Sequence, residues 1–289
     1  MNYEYMELDS KTRESLPGEF IQLSNGFVHY ELNGPVDADI VVLVHGFSSP
    51  LFVWDFTFDK LVEEGFKVLR YDLYGRGYSD RPQVKYNMEF FVQQLHELIH
   101  KLDLTNKKIN LVGLSMGGGI CVVFADKYPE LVKKVSLVDP IGFSISRNFL
   151  LSILKIPVLN KLMLRFYLNH NRIINAQKED FFESENIEGY LEKYMEQMKY
   201  KGFLQAIQST TLNTPFNNLK ETYKRLGKRK LPIQLFWGEQ DKTIPYSTSQ
   251  KVRAAIPSIK FHSIKECGHM PQYTHPDIVN PFLVKFLQD

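Results

Sequence analysis

The sequence predicts an α/β protein: a mostly parallel sheet with helices on both faces and a block of helices inserted late in the chain. Three observations carry this. Short apolar runs at 40–44 (IVVLV), 67–71, 109–114 and 134–138 alternate with segments of helical period. The run 40–44 is continuously β-branched and apolar, as expected for a strand covered on both sides, and strand–helix alternation implies parallel crossovers. From about 143 to 215 the strand signal stops, and it returns at 233–237.

In chain order, 27–32 reads as a strand after an Asn25-Gly26 turn, 40–44 as a buried strand, 52–64 as a helix and 67–71 as a strand. The stretch 89–102 is helical, with Phe91, Leu95, Leu98 and Leu102 at spacings of three and four. A strand at 109–114, a helix at 117–128 closed by Pro129, and a strand at 134–138 complete the first half. The inserted block reads as helices 148–169, 176–183, 187–199 and 203–212. A strand at 233–237, a helix at 247–255, a strand at 260–264 and a helix at 276–287 close the chain. This divides it into a core of 1–142 and 216–289 and a helical cap of 143–215. The cap is expected over the carboxyl ends of the strands, where open α/β sheets bind ligands.

Composition narrows the function. With 44% hydrophobic and 24% charged residues, the 289-residue chain has material for a sizeable core and is no disordered segment. Lys and Arg number 35 against 33 Asp and Glu, a net charge of +2 that excludes nucleic-acid binding by phosphate neutralisation. Cys121 and Cys267 make neither a disulfide framework nor a Cys-rich metal site. The first 20 residues carry Glu4, Glu7, Asp9, Lys11, Arg13, Glu14 and Glu19 in place of the apolar core of a secretory signal, so a cytoplasmic protein is expected. The most apolar stretch, 149–168, has 14 apolar residues of 20, but Lys155, Pro157, Lys161 and Arg165 interrupt it. It reads as a buried or interfacial helix pair broken near Pro157, not as a membrane span. Lys224, Arg225, Lys228, Arg229 and Lys230 form a basic run, either a solvated face or a transient contact with an anionic membrane surface.

The sharpest chemical signal is Gly113-Leu114-Ser115-Met116-Gly117, between a strand and a helix. A serine in such a turn needs small residues two positions to either side, because the backbone passes close to itself there. Serine needs a neighbouring base. His269 lies just past the last strand, where the base belongs, while His275 starts the last helix and His262 sits within the strand. Asp241, directly after strand 233–237, is the expected acid; Glu239 and Asp139 are its competitors. The loop His45-Gly46-Phe47 after strand 40–44 should supply the Phe47 backbone N–H to an oxyanion, and the residue after the serine should supply that of Met116. His45 is expected to hold this loop rather than to act as a base.

Taken together, HGF at 45–47, YDLYGRGYSDRP at 71–82, GLSMGGG at 113–119, GEQDKTIP at 238–245 and GHMPQ at 268–272 resemble the α/β-hydrolase family. Within it the chain is similar to the monoacylglycerol lipase, lysophospholipase and carboxylesterase branch. The resemblance implies a serine hydrolase with a Ser115–Asp241–His269 triad, no cofactor and no metal. It also implies that Asp72, Arg76 and Ser79 pin the loop beside the oxyanion hole. Haloalkane dehalogenases and epoxide hydrolases of this fold carry Asp where this chain has Ser115, which disfavours both. The expected substrate is a lipid-like small-molecule ester with an apolar acyl chain, received by the Leu-, Ile- and Phe-rich cap. Carbon–carbon, amide and lactone hydrolases share the same three residues, and a binder that has lost catalysis shares the fold; these alternatives stay open on sequence alone.

Overall fold

A computed structural model describes residues 3–143, 168–182 and 187–289. The expected helix at 148–169 falls, but for its last two residues, outside the described residues, as does the end of 176–183. In chain order the elements are α1 (Ser10–Glu14), β1 (Glu19–Leu23), β2 (Gly26–Asn33), β3 (Ile40–Val44), a 3-10 turn (Leu51–Trp54), α2 (Asp55–Glu63), β4 (Lys67–Tyr71), α3 (Met88–Lys101), β5 (Ile109–Leu114), α4 (Met116–Lys127) and β6 (Val132–Val138). They continue with α5 (His170–Glu179), α6 (Glu188–Glu196), a 3-10 turn (Gln197–Lys199), α7 (Phe203–Asn213), α8 (Lys220–Gly227), β7 (Ile233–Gly238), α9 (Thr248–Ala255), β8 (Lys260–Ile264), α10 (Pro271–Thr274) and α11 (Pro276–Gln288).

Among the described residues, eight strands form one sheet in the order β1-β2-β4-β3-β5-β6-β7-β8. The β2 strand runs antiparallel to β1 and β4, and every pairing from β4 to β8 is parallel. The continuous apolar character of the central strands follows from burial on both faces. In β3, Val42 and Val44 join one apolar cluster with α3 and α4, while Val41 and Leu43 join a second with α2, α11 and the inserted helices. The chain leaves β3 for β4 on one side and then crosses to β5 on the other. Adjacent parallel strands thus deliver their following loops to one edge, and that divergence opens a crevice there. Val44 pairs with Gly113, Leu114 with Val138, Val138 with Phe236 and Gly238 with Ile264, so the loops carrying His45, Ser115, Asp139, Asp241 and His269 leave the sheet side by side.

Several elements depart from the sequence reading: α1, β1, α8 and α10 are not marked in it, and the helix expected at 176–183 is α5, His170–Glu179. The expected helix 52–64 is a 3-10 turn followed by α2, because Pro50 precedes it and Trp54 is drawn fully into the core. The basic run lies on and just after α8, whose Tyr223 and Leu226 are buried. Its Arg225 and Arg229 both bond Asp126, and Lys224 bonds Glu221. Among the described residues no helix is long and apolar enough to cross a membrane.

The last helix is tied to the sheet by a charge. Buried Lys134 of β6 donates from Nζ to the carbonyls of Phe286 and Leu287, both at 2.8 Å. These are among the last carbonyls of α11, which have no acceptor role within the helix, and a cation there also meets the negative end of the helix dipole. Replacing Lys134 by Met keeps the stem and removes both bonds. Urea unfolding of Lys134→Met should show a loss of about 2 kcal/mol, the scale of a charged hydrogen bond; an unchanged midpoint would show the contact to be idle.

Candidate active site

Ser115 sits between β5 and α4 with φ of 53° and ψ of −113°. For a residue with a Cβ this is a strained conformation, costing on the order of 1–3 kcal/mol, and it persists only where its surroundings enforce it. Here Ser115 N–H donates to the Val138 carbonyl at 2.8 Å, and its own carbonyl accepts from Ile141 N–H at 3.1 Å and Gly119 N–H at 3.2 Å. The flanking glycines are required by contact. A Cβ on Gly113 would lie 2.5 Å from the Gly117 carbonyl oxygen, and one on Gly117 would lie 2.1 Å from that of Val44.

His269 and Asp241, 28 residues apart, meet: His269 Nδ1 lies 2.7 Å from Asp241 Oδ2. The other oxygen, Oδ1, accepts from the amides of Thr243 at 2.8 Å and Ile244 at 2.7 Å, so the carboxylate is fixed by its own turn. That arrangement makes Nδ1 the donor and leaves Nε2 as the basic nitrogen. Among the described residues Nε2 is buried without a hydrogen-bond partner. Ser115 and His269 line the same cavity of about 260 Å³, together with Gly46, Phe47, Ser48, Ser49, Gln177 and Asp180. Asp139 lies beside the pair. Its Oδ1 accepts from Gly238 N–H at 3.0 Å, and burial followed by the Asp241 charge pushes its carboxyl well above the usual range. Of the two neighbouring carboxyl groups, Asp241 is the one that bonds the imidazole. Burial alone would depress His269, but Asp241 first, then Asp180 and Asp139, outweigh it and raise its pKa. Asp139, Asp241 and His269 also bring ligand-type atoms within 4.8 Å of one another, and His269 Nδ1 is bonded to Asp241 Oδ2.

The remaining histidines, acid and cysteines sit elsewhere in the fold. Glu239 accepts from Ser263 Oγ at 2.6 Å, and His262 stacks on Phe236. His275 occupies the N-cap position of α11 with no side-chain capping bond. Cys121 and Cys267 are both buried.

The loop after β3 is held by buried polar groups. His45 Nε2 accepts from Leu73 N–H at 2.9 Å and Nδ1 donates to the Gly46 carbonyl at 3.0 Å. Burial pulls its pKa down to about 4, so it is a neutral brace. Asp72 accepts from Leu51 N–H and Tyr78 N–H and bonds His29 at 2.6 Å; these partners outweigh burial and hold the carboxyl below its ordinary value. Ser79 Oγ donates to the Asp72 carbonyl. The guanidinium of Arg76, fully buried, donates to the Phe47 carbonyl at 2.8 Å, the Tyr74 carbonyl at 3.1 Å and Thr210 Oγ1 at 2.9 Å. Neither the Phe47 nor the Met116 amide is engaged by another described residue. Sequence reasoning missed the polar bridge from this loop to the insertion. Ser48 Oγ accepts from Gln177 and its carbonyl accepts from Gln197, while the Ser49 hydroxyl meets Tyr190 OH at 2.8 Å. No spacing rule marks these residues, since each pair is more than 120 positions apart in the chain.

Arg76 thus fixes the Phe47 carbonyl, one peptide beyond the Gly46–Phe47 unit that carries the candidate oxyanion N–H and whose Gly46 carbonyl is bonded by His45. Arg76→Lys keeps the charge but cannot reproduce three donors in one plane. We expect kcat for p-nitrophenyl acetate to fall about tenfold or more, the scale of a weakened oxyanion donor, with KM little changed. Full turnover in a folded variant would show that the loop is set by other contacts.

Comparison with known proteins agrees with this architecture. The alpha/beta hydrolase fold family profile matches residues 39–276. Lipase 3 of Moraxella sp. (strain TA144) is 28% identical over 250 residues, covering 84% of this chain and 75% of that protein. A monoacylglycerol lipase of Bos taurus is 24% identical over 260 residues, covering 86% and 74%. The crystal structure of an enol-lactonase from Burkholderia xenovorans LB400 matches with a TM-score of 0.79 at 20% identity, covering 94% of this chain and 100% of that one. Profile, strand order and strained serine turn coincide, and the chain belongs to the alpha/beta hydrolase fold family.

Proposed function

We propose that this hydrolase cleaves carboxylic esters through an acyl-enzyme on Ser115. The observation that carries the reading is the His269–Asp241 bond at 2.7 Å in the cavity that also holds Ser115. In this reading, Ser115 Oγ gives its proton to His269 Nε2 as it attacks the ester carbonyl. The amides of Phe47 and Met116 receive the oxyanion. Collapse of the tetrahedral adduct breaks the carbon–oxygen bond, and the departing alcohol takes the proton from Nε2. Water then repeats the sequence on the acyl-serine and releases the acid. Asp241 holds Nδ1–H and stabilises the imidazolium that forms at each proton transfer.

For the substrate, lipase and monoacylglycerol lipase relatives support a lipid-like ester. The insertion of 143–215 is read as a cap. The apolar segment 149–168, from which the sequence leads one to expect an acyl-chain site, lies almost wholly outside the described residues. The described part of the cavity wall mixes Ser48, Ser49, Gln177 and Thr243 with Phe47, Leu114, Ala176 and Met270, and its polar side chains are assigned to the ester and alcohol groups.

Three measurements test this. Ser115→Ala should abolish ester hydrolysis, and Asp241→Asn should cost about 10⁴ in kcat through the wrong imidazole tautomer, while Asp139→Asn should cost far less. The reverse ranking of the two Asn variants would move the acid to Asp139. Because the carboxylates raise His269, and only the neutral ring is a base, kcat/KM should rise with pH through a midpoint above the ordinary histidine value of about 6.5. A plateau reached below pH 6 would contradict that assignment. Along p-nitrophenyl esters from two to sixteen carbons, kcat/KM should climb by roughly fourfold per buried methylene until the pocket is full; a decline from acetate onward would remove the apolar acyl pocket.

A further inference from the structure

We infer that Asp180, immediately after α5 in the insertion, is a positioning residue for His269, so that the insertion is part of the catalytic framework and not a detachable cover. This rests on the triad reading above. The main chain of Asp180 receives the base loop: its carbonyl accepts from His269 N–H at 2.7 Å. Its side chain receives the acid loop: Oδ1 accepts from Thr243 Oγ1 at 2.5 Å, and the Thr243 amide in turn donates to Asp241 Oδ1. One residue of the insertion therefore bonds both loops whose side chains form the Asp241–His269 pair.

The contact is built into the packing. Gly268 is where the two segments cross, and a Cβ there would lie 2.3 Å from the Asp180 carbonyl oxygen. The next residue, Phe181, is buried with its ring 4.8 Å from that of Tyr190 in α6 and 6.4 Å from that of Tyr273 in α10, just beyond His269. Thus α5, α6 and α10 clamp the crossing from one side and the Asp241 turn from the other.

The carboxylate also faces the proton-carrying ring. Asp180 lines the cavity with Ser115 and His269. Burial raises its pKa to about 6, against the opposing pull of His269. The groups around it are Glu179 on α5, the phenols Tyr190 and Tyr194 on α6, and Asp241; His269 is faced by Asp241, Asp180 and Asp139. When His269 takes the Ser115 proton it becomes a cation between Asp241 and Asp180. Removing the Asp180 charge must therefore make that cation less stable and lower the pH at which the ring gives up its proton.

The test uses the full chain with three variants: Asp180→Asn, Asp180→Ala and Gly268→Ala. Asp180→Asn keeps the size and an oxygen for Thr243 while removing the charge. The readouts are the His269 titration followed by NMR of histidine-labelled protein, and kcat and KM for a p-nitrophenyl ester across pH. For Asp180→Asn we expect the NMR midpoint and the acid limb of kcat/KM to move down together by about 0.5–1 pH unit, with kcat down about three- to tenfold and KM within about twofold. Asp180→Ala should shift the midpoint as far and lose more kcat, since the Thr243 bond goes as well. Gly268→Ala, checked as folded by its circular dichroism, should lose about 100-fold in kcat, the scale of an ångström-sized misplacement. Wild-type kcat in Asp180→Asn with an unmoved His269 midpoint would overturn the inference, as would wild-type kcat in folded Gly268→Ala. If the wild-type chain hydrolyses no ester, the ester reading fails separately, and the NMR midpoint alone decides: unmoved in Asp180→Asn, it overturns this inference too.

Discussion

The backbone of Ser115 is the constraint on which the rest of the site depends. Held at a φ of 53°, it turns the chain from β5 into α4 within one residue, and three main-chain hydrogen bonds to Val138, Ile141 and Gly119 enforce it. Those partners exist only because β6 lies directly beside β5 and because Gly117 lets α4 press against the end of β3. Local strain is thus held by long-range packing, and the sheet order is a precondition for the serine's exposure to the cavity. A looser turn would relax the serine into ordinary helix or strand geometry and withdraw it from the cavity that it lines with His269.

Around that turn the molecule uses two different solutions to burying charge. On one side, Asp72 and Arg76 are buried apart, each satisfied by main-chain groups, and they brace the loop that carries Phe47. On the other, Asp139, Asp241 and Asp180 crowd a single imidazole. The first arrangement satisfies nearly every polar atom and yields rigidity. The second leaves His269 Nε2 without a bond among the described residues, and raises Asp139 and Asp180 above the usual carboxylate range. Groups whose pKa values are pushed apart by burial and by one another are typical of sites that move protons.

Much of this was legible in the chain. The strands Ile40–Val44, Lys67–Tyr71, Ile109–Leu114 and Lys260–Ile264 match the sequence reading residue for residue, the first because a continuous apolar run bounded by polar turns leaves little freedom in its ends. The hairpin strand β1 was not anticipated: EFIQL is a half-exposed edge segment with only Leu23 buried, and carries no alternation to read. Helix α8 was hidden beneath the basic run, since only Tyr223 and Leu226 mark its buried face. At the site, motif spacing brought Ser115, Asp241 and His269 forward as candidates, and the fold brings the last two into contact. Asp180 was invisible because its partners lie 63 and 89 positions away and its own neighbours read as an ordinary charged helix end. Only the third dimension gives it a role.

The account stands or falls on Ser115 as the group that becomes acylated. A fluorophosphonate reacts covalently with a serine only where a base and an oxyanion site activate it. Peptide mapping after such labelling, with hydrolysis followed in parallel, is the most direct measurement. The account predicts a single adduct on the peptide bearing Ser115, formed in step with the loss of ester hydrolysis. Complete inactivation with the adduct on another residue, or hydrolysis that persists once Ser115 is fully modified, would contradict it.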